Sequence, residues 1–538
     1  MYPPSIAALE RGDTRQQSEP RRKAYQLTAQ IMSRKLGDTI PLLPDTTATV
    51  DVLTIFVPLR ANSTLLKHFH THLSQVVKLQ IQPTPPCFNT FALQNAYLYL
   101  ETQRVHRFEN SSIMPTDQNF DLAAQSALHL HLQPHPQVNG VTQLILLIGK
   151  RYFADPWSGF EEVTAQRLCT TITLGALSKT ENAVTAIRTI EIRTDLSSPI
   201  RNRENARLES VRLVRDFLRQ PEASLDATIP VTRIQIQPPR IPSLLWHVMQ
   251  NVVPRILRPL QRTYDKLRKR IVKEQWTLMS TKIGDNHPPR LIAHSVDLFQ
   301  ADPFPIATAQ GEFLFFEEFS YARSRGHIAV APICPDGALG PKKTVLERPY
   351  HLSFPTFFSY HDEIFMLPEQ SASGTLIAYR TDNFPYNWEA AKTIMAGVCA
   401  KDPILYEQNG TWWLFFSDGA FHSGDNNLYL FSSTCPFGPW HPHPQNPIVN
   451  TLQGARMAGA LFRNERGELI RPGQDCRRDY GDGVILHKIS ALTPTRYHEE
   501  LLQRIALPSN PSHTSRMHTY NILNGRLWTD TTQYNLSY

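Results

Sequence analysis

Two textures of hydrophobic patterning divide this chain. Residues 1–23 are mostly polar, without an apolar core, and read as a disordered tail. From about 24 to 236, helical and strand spacings alternate. Lys23–Leu36 steps as a helix, Val52–Val57 is a β-branched apolar run, and Ala127–Leu132 alternates strictly. Leu144–Ile148 has the continuous apolar character of a buried strand, and Arg188–Ile192 alternates again. Asn205–Arg219 closes the region as an amphipathic helix with Leu208, Val211, Val214 and Leu218 on one face. Alternation of this kind predicts an α/β domain. A joint follows over 237–275, in which Leu245, Met249, Val252, Ile256, Leu260, Tyr264, Leu267 and Ile271 step by three or four residues. Pro254 and Pro259 are expected to kink this helix early.

From 276 onward the pattern changes to short, aromatic-rich strands that repeat. ADPFPIATAQGEFLFFEE begins at 301, SFPTFFSYHDEIFMLPEQ at 353 and KDPILYEQNGTWWLFFSD at 401. ARMAGALFRNERGELIRPGQD begins at 455 and MHTYNILNGRLWTD at 517. Each is a strand, a polar turn and a second strand. The first three keep one spacing: Pro303 to Glu317, Pro355 to Glu369, Pro403 to Ser417. A repeat of roughly fifty residues suits a four-stranded propeller blade. Five repeats predict a five-bladed β-propeller over 276–538, with the strand-like stretch Trp276–Ser280 completing the last blade. The fold class expected is therefore two-domain, α/β followed by all-β.

Composition narrows this picture in two ways. Proline is abundant at 42 residues and glycine scarce at 24, which favours rigid loops over flexible linkers. The net charge of +7 is local: residues 240–273 hold nine Lys and Arg against Asp265, a net of +8, so the remainder sums to about −1. Arg255, Arg258, Arg262, Lys266, Lys269 and Lys273 share a face beside the apolar stripe. Two readings fit, an interdomain helix or an interfacial helix resting on an anionic membrane surface. Nucleic acid is not expected, because no aromatic residues interleave the cations. Six cysteines without a CxxC pair predict neither a zinc framework nor disulfides and fit a reducing compartment. The opening residues carry no apolar core, so no secretory signal is expected, and the chain is expected in the cytoplasm or peripheral at a membrane.

Candidate chemistry gathers where the inner strands of the propeller begin. Asp302 and Asp402 occupy equivalent positions, each before a proline; Phe354, Met457 beside Arg456, and His518 stand there in the other repeats. A second ring, at the ends of the second strands, holds Glu317, Glu369 and Asp475, with Arg471 and Gln474 close by. Glycoside chemistry needs one carboxylic acid to protonate the leaving oxygen and one carboxylate ~5–9 Å away to attack or to activate water. Asp302, Glu369, Asp402 and Asp475 supply candidates for such a pair. Arg456, Arg471, Gln474, His518 and Glu317 are candidates for binding substrate. An Asp before Pro also caps turns with no further role, and the equivalence of Asp302 and Asp402 argues against that for those two. Trp388, Trp412, Trp413, Phe415, Trp440 and Trp528 suit either sugar stacking or packing between blades. His129, His131 and His135 lack an acidic third ligand nearby, so no metal is assigned. No cofactor is expected either, since neither GxxxxGK nor GxGxxG after a strand occurs.

These residues carry a resemblance. ADPF, FLFFEE, RPYHLSFPTFF, FMLPE, LYEQNGTWWLFFS, GPWHPHPQNP, ARMAG, RPGQDCRRDYG and HTYN, in this order over about 276–530, resemble the N-terminal propeller domain of plant glucosamine inositolphosphorylceramide transferases. That domain resembles the five-bladed propeller glycosidases of the arabinanase, xylosidase and levansucrase type. The resemblance implies Asp302 as nucleophile or base and Asp402 as transition-state stabiliser. It offers no direct counterpart for the glutamate acid, leaving Glu369 or Asp475 to serve. PWSGFEEV (156–163), TTITLG (170–175) and SSPIRNRENARL (197–208) resemble a formyltransferase-like α/β domain. The Asn, His and Asp that formyl transfer needs are missing, which implies a degenerate scaffold or recognition domain over 24–236.

The sequence thus points to a carbohydrate-active protein whose propeller funnel binds a glycan or glycolipid headgroup and hydrolyses or transfers its glycosidic bond. The alternative is a non-catalytic glycan-binding module that partners a glycosyltransferase.

Overall fold

The computed structural model describes residues 52–58, 78–84, 127–131, 143–178, 183–219, 228–230, 234, 238–247, 249, 271–285, 288–292, 297–507 and 516–537. The polar tail 1–23, the helix expected over Lys23–Leu36, and most of the cationic stripe, residues 251–270, lie outside the described residues. Two compact units divide in sequence between Leu257 and Arg258, inside the joint expected at 237–275.

The first unit is built on one mixed sheet. Its strands are β1 (Val52–Pro58), β2 (Lys78–Thr84), β3 (Ala127–His131), β4 (Gln143–Ile148), β5 (Arg151–Tyr152), β6 (Cys169–Ser178), β7 (Ala183–Arg193) and β8 (Thr228–Pro230). Their order is β2-β1-β3-β4-β6-β7-β8, with β5 paired to β4. β1 to β4 run parallel, and β6, β7 and β8 return antiparallel. Among the described residues three helices accompany it: α1 (Phe160–Thr164), α2 (Pro199–Arg219) and α3 (Ile241–His247). α2 buries Val211, Val214 and Leu218 as its periodicity requires, but starts six residues before the expected Asn205. Ser198 precedes it and Pro199 takes the first helical position, where the missing N–H costs nothing. The early turn buries polar Asn202, whose amide donates to the Gly159 carbonyl, so the apolar stripe does not reveal it.

The second unit is the expected ring of five sheets. Blade one is β11 (Leu298–Thr308), β12 (Gly311–Ser320), β13 (Arg325–Pro332) and β14 (Lys343–Leu346). Blade two is β15 (Ser353–Tyr360), β16 (Glu363–Glu369), β17 (Thr375–Arg380) and β18 (Glu389–Ala396). Blade three is β19 (Ala400–Gln408), β20 (Thr411–Asp418), β21 (Tyr429–Ser433) and β22 (His441–Pro442). Blade four is β23 (Gln453–Met457), β25 (Leu469–Asp475), β26 (Gly483–Leu492) and β27 (Tyr497–Ile505), with the short β24 (Phe462–Arg463) beside β25. Blade five joins the two ends of the unit: β28 (Asn521–Leu523) and β29 (Arg526–Ser537) pair with β9 (Ile271–Lys282) and β10 (Arg290–Leu291). β29 and β9 run antiparallel in unbroken register from Arg526–Lys282 to Ser537–Ile271. Ile271 and its neighbours, which the stripe assigned to the helical joint, therefore begin a strand, because β29 offers a full-length edge to β-branched residues.

Apolar seams weld each blade to the next. Leu278 and Trp528 of blade five meet Leu314, Phe316 and Ala329 of blade one. Phe315 and Ile328 meet Met366, Tyr379 and Trp388 between blades one and two. Phe358 and Phe365 meet Trp412 and Leu414 between two and three, and Trp413 and Phe415 meet Leu469 and Tyr497 between three and four. Ala458, Ile470 and Val484 meet Met517 and close the circle. The tryptophans that suited sugar stacking are spent here: Trp388, Trp412, Trp413 and Trp528 are buried, and Trp440 packs partly buried against the seam of blades two and three. Among the described residues five cysteines occur and all are free thiols.

Trp528→Ala should open the one seam that joins the ends of the chain segment. Loss of a buried tryptophan costs about 3–5 kcal/mol, so the urea midpoint of the propeller transition is expected to fall strongly while an exposed control, Leu501→Ala, leaves it within experimental error.

Candidate functional site

The site begins with a backbone device repeated at the start of the inner strands. Asp302, Phe354 and Asp402 all adopt left-handed backbone, with φ of 52°, 48° and 46°. At each one the strand pairing slips. Ala301 faces Glu317 but Phe304 faces Phe315, and Ser353–Glu369 followed by Thr356–Leu367, and Lys401 followed by Ile404, repeat the slip. A left-handed L-residue is strained by about 1–2 kcal/mol, so three in register mark a position that the surroundings enforce. In blade four the residue after the corresponding pair, Gln453–Asp475, is Gly454 with φ of 87°. Gly454, not Met457, is therefore the counterpart of Asp302. The sequence misplaced it because the fourth repeat runs to Met457 before pairing resumes opposite Gly473.

What enforces the turn is a carboxylate from the neighbouring blade. The Asp302 amide donates to Asp530 Oδ2 at 3.0 Å, the Phe354 amide to Asp302 Oδ2 at 3.1 Å, and the Asp402 amide to Glu369 Oε2 at 3.3 Å. Blade five thus holds blade one, one holds two, and two holds three. Asp302, Glu369, Asp402 and Asp530 are all buried.

One cluster forms around Asp302. His518 lies between two carboxylates, with Nε2 3.0 Å from Asp302 Oδ1 and Nδ1 3.0 Å from Asp530 Oδ1. Burial disfavours a charged ring, but Asp530 and then Asp302 outweigh it and push His518 up to about 10, so it is an imidazolium at neutral pH. Asp530 also accepts from the amides of His518 and Thr519 and from Thr519 Oγ1. Glu317 takes the opposite state: burial, then the charge of Asp302, raise its carboxyl well above the usual range and keep it protonated. His351 Nε2 lies 3.6 Å from it. Asp302, His518 and Asp530 each offer an atom within 4.8 Å of the others, a spacing that also suits a cation. Both ring nitrogens lie 3.0 Å from a carboxylate oxygen, so the charge of the ring is paired on either side.

A second cluster forms around Asp402. Arg456 Nε donates to Asp402 Oδ2 at 2.6 Å, its Nη1 reaches Asp425 at 3.2 Å and its Nη2 lies 3.6 Å from Glu369. Gln474 donates to the same Asp402 oxygen at 2.8 Å. Lys401 lies 2.8 Å from Glu369. Burial works against the Glu369 charge, but Lys401 and Arg456 prevail and hold it ionised. Asp402 shifts upward instead: burial drives the rise, Arg456 opposes it and the Glu369 charge adds to it. The Arg456 guanidinium also lies over the Tyr480 ring, and Tyr480 and Trp276 flank His518 with ring centres 5.1 and 4.2 Å away.

The structure therefore brings Asp302, Glu317, Glu369, Asp402, Arg456, Gln474 and His518 together from all five blades. Two candidates stand apart within blade four. Arg471 is clamped by Glu499 at 2.6 Å and donates to the Gly454 carbonyl, and Asp475 is held ionised, against burial, by Arg477 and Arg504. Asp530, Asp425, Lys401, Tyr480 and Trp276 were not singled out. Asp530 had a signal, since the fifth repeat carries an acid late in its second strand as the first two carry Glu317 and Glu369; the loop residues Asp425 and Tyr480 had none. The side chains of His129 and His131, on β3, and all of His135 lie outside the described residues.

Four buried atoms here, Asp302 Oδ1, Glu317 Oε1, Gln474 Oε1 and His518 Nδ1, make no aligned hydrogen bond, although the first and last have ion-pair neighbours at 3.0 Å. Buried polar atoms are nearly always satisfied, and an orphan costs about 1–3 kcal/mol. Unused capacity of this kind, on a mixture of anionic and neutral oxygens, suits a ligand rich in hydroxyl groups.

Comparison with known proteins gives a consistent location. Residues 292–521 match the family model described as glucosamine inositolphosphorylceramide transferase 1, N-terminal. The chain is 40% identical over 206 residues to glucosamine inositolphosphorylceramide transferase 1 of Oryza sativa subsp. japonica and 37% identical over 206 residues to that of Arabidopsis thaliana. Each alignment covers 37% of this chain and 27% of the relative, so the chain spans about a quarter of the length of the curated relatives it matches. Among solved structures, a family 117 glycoside hydrolase from Zobellia galactanivorans is 10% identical, with 50% of this chain and 92% of that one covered, at a TM-score of 0.33. An exo-β-1,3-galactanase from Phanerochaete chrysosporium is 18% identical, with 36% and 47% covered, at 0.30.

His518 gives the site a pH signature. Its pKa is higher folded, about 10, than the ~6.5 of an unfolded histidine, so its contribution to stability is complete below about 6.5 and is lost as pH rises toward 10. The melting temperature of the wild type is expected to fall more steeply than that of His518→Gln between pH 7 and about 10. Parallel curves would show that the ring is neutral in the folded protein.

Proposed function

We propose that the propeller funnel binds the sugar of a glycan or glycolipid headgroup and acts on its glycosidic bond. The observation that carries this reading is two buried carboxyls side by side in unlike settings: Asp302 lies 3.0 Å from the His518 ring, while burial and the Asp302 charge raise the Glu317 carboxyl well above its usual range. A carboxyl that keeps its proton is what the acid role requires of one member of such a pair. In this scheme Glu317 gives its proton to the leaving oxygen. Asp302 attacks the anomeric carbon, or takes the proton from the attacking water or acceptor hydroxyl. Asp402, Arg456 and Gln474 hold the ring and stabilise charge that develops on it. Glu317 thus takes the acid role for which the sequence offered Glu369 or Asp475, since cations keep both of those ionised.

The similarity to proteins named glucosamine inositolphosphorylceramide transferase supports a substrate that is a sugar joined to an inositol phosphate lipid, and a transfer as readily as a hydrolysis. A second reading has its own support. The matched family region is the N-terminal part of a transferase, and most carboxylates of the cluster are neutralised by Lys401, Arg456 and His518. That charge balance suits a glycan-binding module that presents its ligand to a partner enzyme.

One experiment separates the two. Wild type, Asp302→Asn and Glu317→Gln are incubated with aryl glycosides, nucleotide sugars and inositol phosphate glycolipids, with binding and product followed together by calorimetry and mass spectrometry. The proposal expects product from wild type and a loss of about 10²–10⁴-fold in both variants with binding retained. Binding by all three proteins without product from any leaves the presenting module. Product undiminished in both variants removes the funnel as the reacting centre.

A further inference from the structure

Beyond Glu317, blade one carries a surface that the acid and base scheme does not use. In an antiparallel sheet paired residues share a face, and every second residue returns to it. Ala301 pairs with Glu317 and Phe299 with Phe319, so both phenylalanines lie on the face of Glu317, one step closer to the start of β11. Their rings stack, with centres 4.7 Å apart and planes 3° from parallel. Both are half-buried, whereas Phe315, one step the other way, is fully buried between blades one and two. β13 continues the row by placing Gly326 opposite Phe319. A Cβ at Gly326 would lie 2.5 Å from Glu317 Oε1 and 2.9 Å from His351 Cε1. The missing side chain is therefore what lets a histidine approach the acid.

His351 comes from the segment that joins β14 of blade one to β15 of blade two. Its Nδ1 accepts from the Gly326 amide at 2.9 Å. A ring nitrogen that accepts carries no proton, so the imidazole is neutral and its hydrogen sits on Nε2. Burial, which lowers the pKa of this ring, acts in the same direction. Nε2 lies 3.6 Å from Glu317 Oε1, too long for a hydrogen bond. Oε1 is itself buried without an aligned partner. The His351 side chain is 37% exposed and that of Glu317 6%, so the ring is the outer member of the pair. Its centre lies 5.9 Å from that of Phe319. A fixed N–H donor, two aromatic rings and the proposed acid thus adjoin one another.

That combination narrows the ligand. An acyl chain would use the rings and leave the N–H without an acceptor. A phosphate would require a cation, and Lys401 and Arg456, whose charges reach His351, are engaged with Glu369 and Asp402. A ring of hydroxyls, a sugar or a cyclitol, offers C–H groups to the aromatics and oxygens to the N–H. We propose that Phe299, Phe319 and His351 form a second subsite, which binds the ring of the group that leaves or accepts at the oxygen facing Glu317. The inference rests on the reading of Glu317 as the acid, because the group bearing that oxygen then lies on the Glu317 side of the funnel. The phenylalanines take the C–H groups of the ring, and His351 donates through Nε2 to one of its oxygens.

The test is calorimetry on the full chain with two series of probes that resist cleavage. One series is the methyl thioglycosides of glucose, galactose, xylose and glucosamine; the other is the disaccharides in which each of these sugars is joined through sulfur to glucose. Only the second series offers a ring to the subsite. A disaccharide is expected to bind about tenfold or more tightly than the methyl thioglycoside of the same sugar. Phe319→Ala should erase that difference. His351→Phe, which keeps an aromatic ring without the donor, should reduce it about threefold or more, and His351→Gln, which returns an N–H, should restore most of it. The methyl thioglycoside should bind all three variants as it binds the wild type, which shows that the funnel is intact in each. Equal affinity of the wild type for both series, or variants that weaken both series alike or neither, overturns the subsite and leaves the funnel reading standing. Absence of binding to either series by the wild type removes both.

Discussion

The site rests on one interaction, the hydrogen bond from a backbone amide at a left-handed turn to a carboxylate of the blade before it. Each partner would be unfavourable alone. A left-handed Asp or Phe is strained, a buried amide without an acceptor costs about 1–3 kcal/mol, and a buried carboxylate without donors costs more. Placed together, the strained turn aims its amide at the carboxylate, and the carboxylate finds a donor that cannot move. Asp530, Asp302 and Glu369 do this in succession for blades one, two and three. The link is therefore both a fastening between blades and a way of fixing the direction in which an acid points.

Fixing carboxylates so tightly creates an electrostatic difficulty, and the rest of the site answers it. Asp302 and Asp530 share His518, which burial alone would have kept neutral. Glu369 takes Lys401, and Arg456 spans Asp402, Asp425 and Glu369 while lying over Tyr480. Three cations are not enough for every acid, and the shortfall is met by protonation: Glu317 stays neutral and Asp402 shifts upward. The odd proton is thus a consequence of packing more carboxylates than cations into a buried space. Groups held in this way lose little reorganisation energy when charge develops beside them, which is why preorganised polar clusters are useful to bind or to react.

Much of this fold was legible because propellers repeat. The constant step from Pro303 to Glu317, and its copies at Pro355 and Pro403, specifies paired strands. The strand at Trp276 predicted the closure that β9 and β29 make. The equivalence of Asp302 and Asp402 survived because both residues stand before proline in the same backbone turn. Legibility ended where partners are distant in sequence. Arg471 and Arg456 look alike in the same repeat, yet one finds Glu499 on the outer strand of its own blade and the other finds Asp402 on the neighbouring blade. Nothing local separates those fates. Gly454 was missed for a different reason: without a side chain it carries no chemistry to notice, only the φ that the turn requires, and a Cβ there would lie 2.2 Å from the His487 ring.

That bare position matters to how a ring of like parts makes one site. Five repeated blades present five similar strand starts, and a ligand of low symmetry cannot be held by five similar groups. Here the repeated position carries an acid in blade one, a phenylalanine in blade two, an acid in blade three and no side chain in blade four. Phe354 turns away into the apolar hub against Phe304, with ring centres 4.8 Å apart. Its amide keeps the structural link while its side chain withdraws from the chemistry. Over blades one to three the backbone hydrogen bond therefore keeps the architecture constant, and the side chain is left free to differ. On this scaffold asymmetry is obtained by changing what stands at the turn, not by changing the turn, and that separation is what lets a repeat carry a single set of unlike roles.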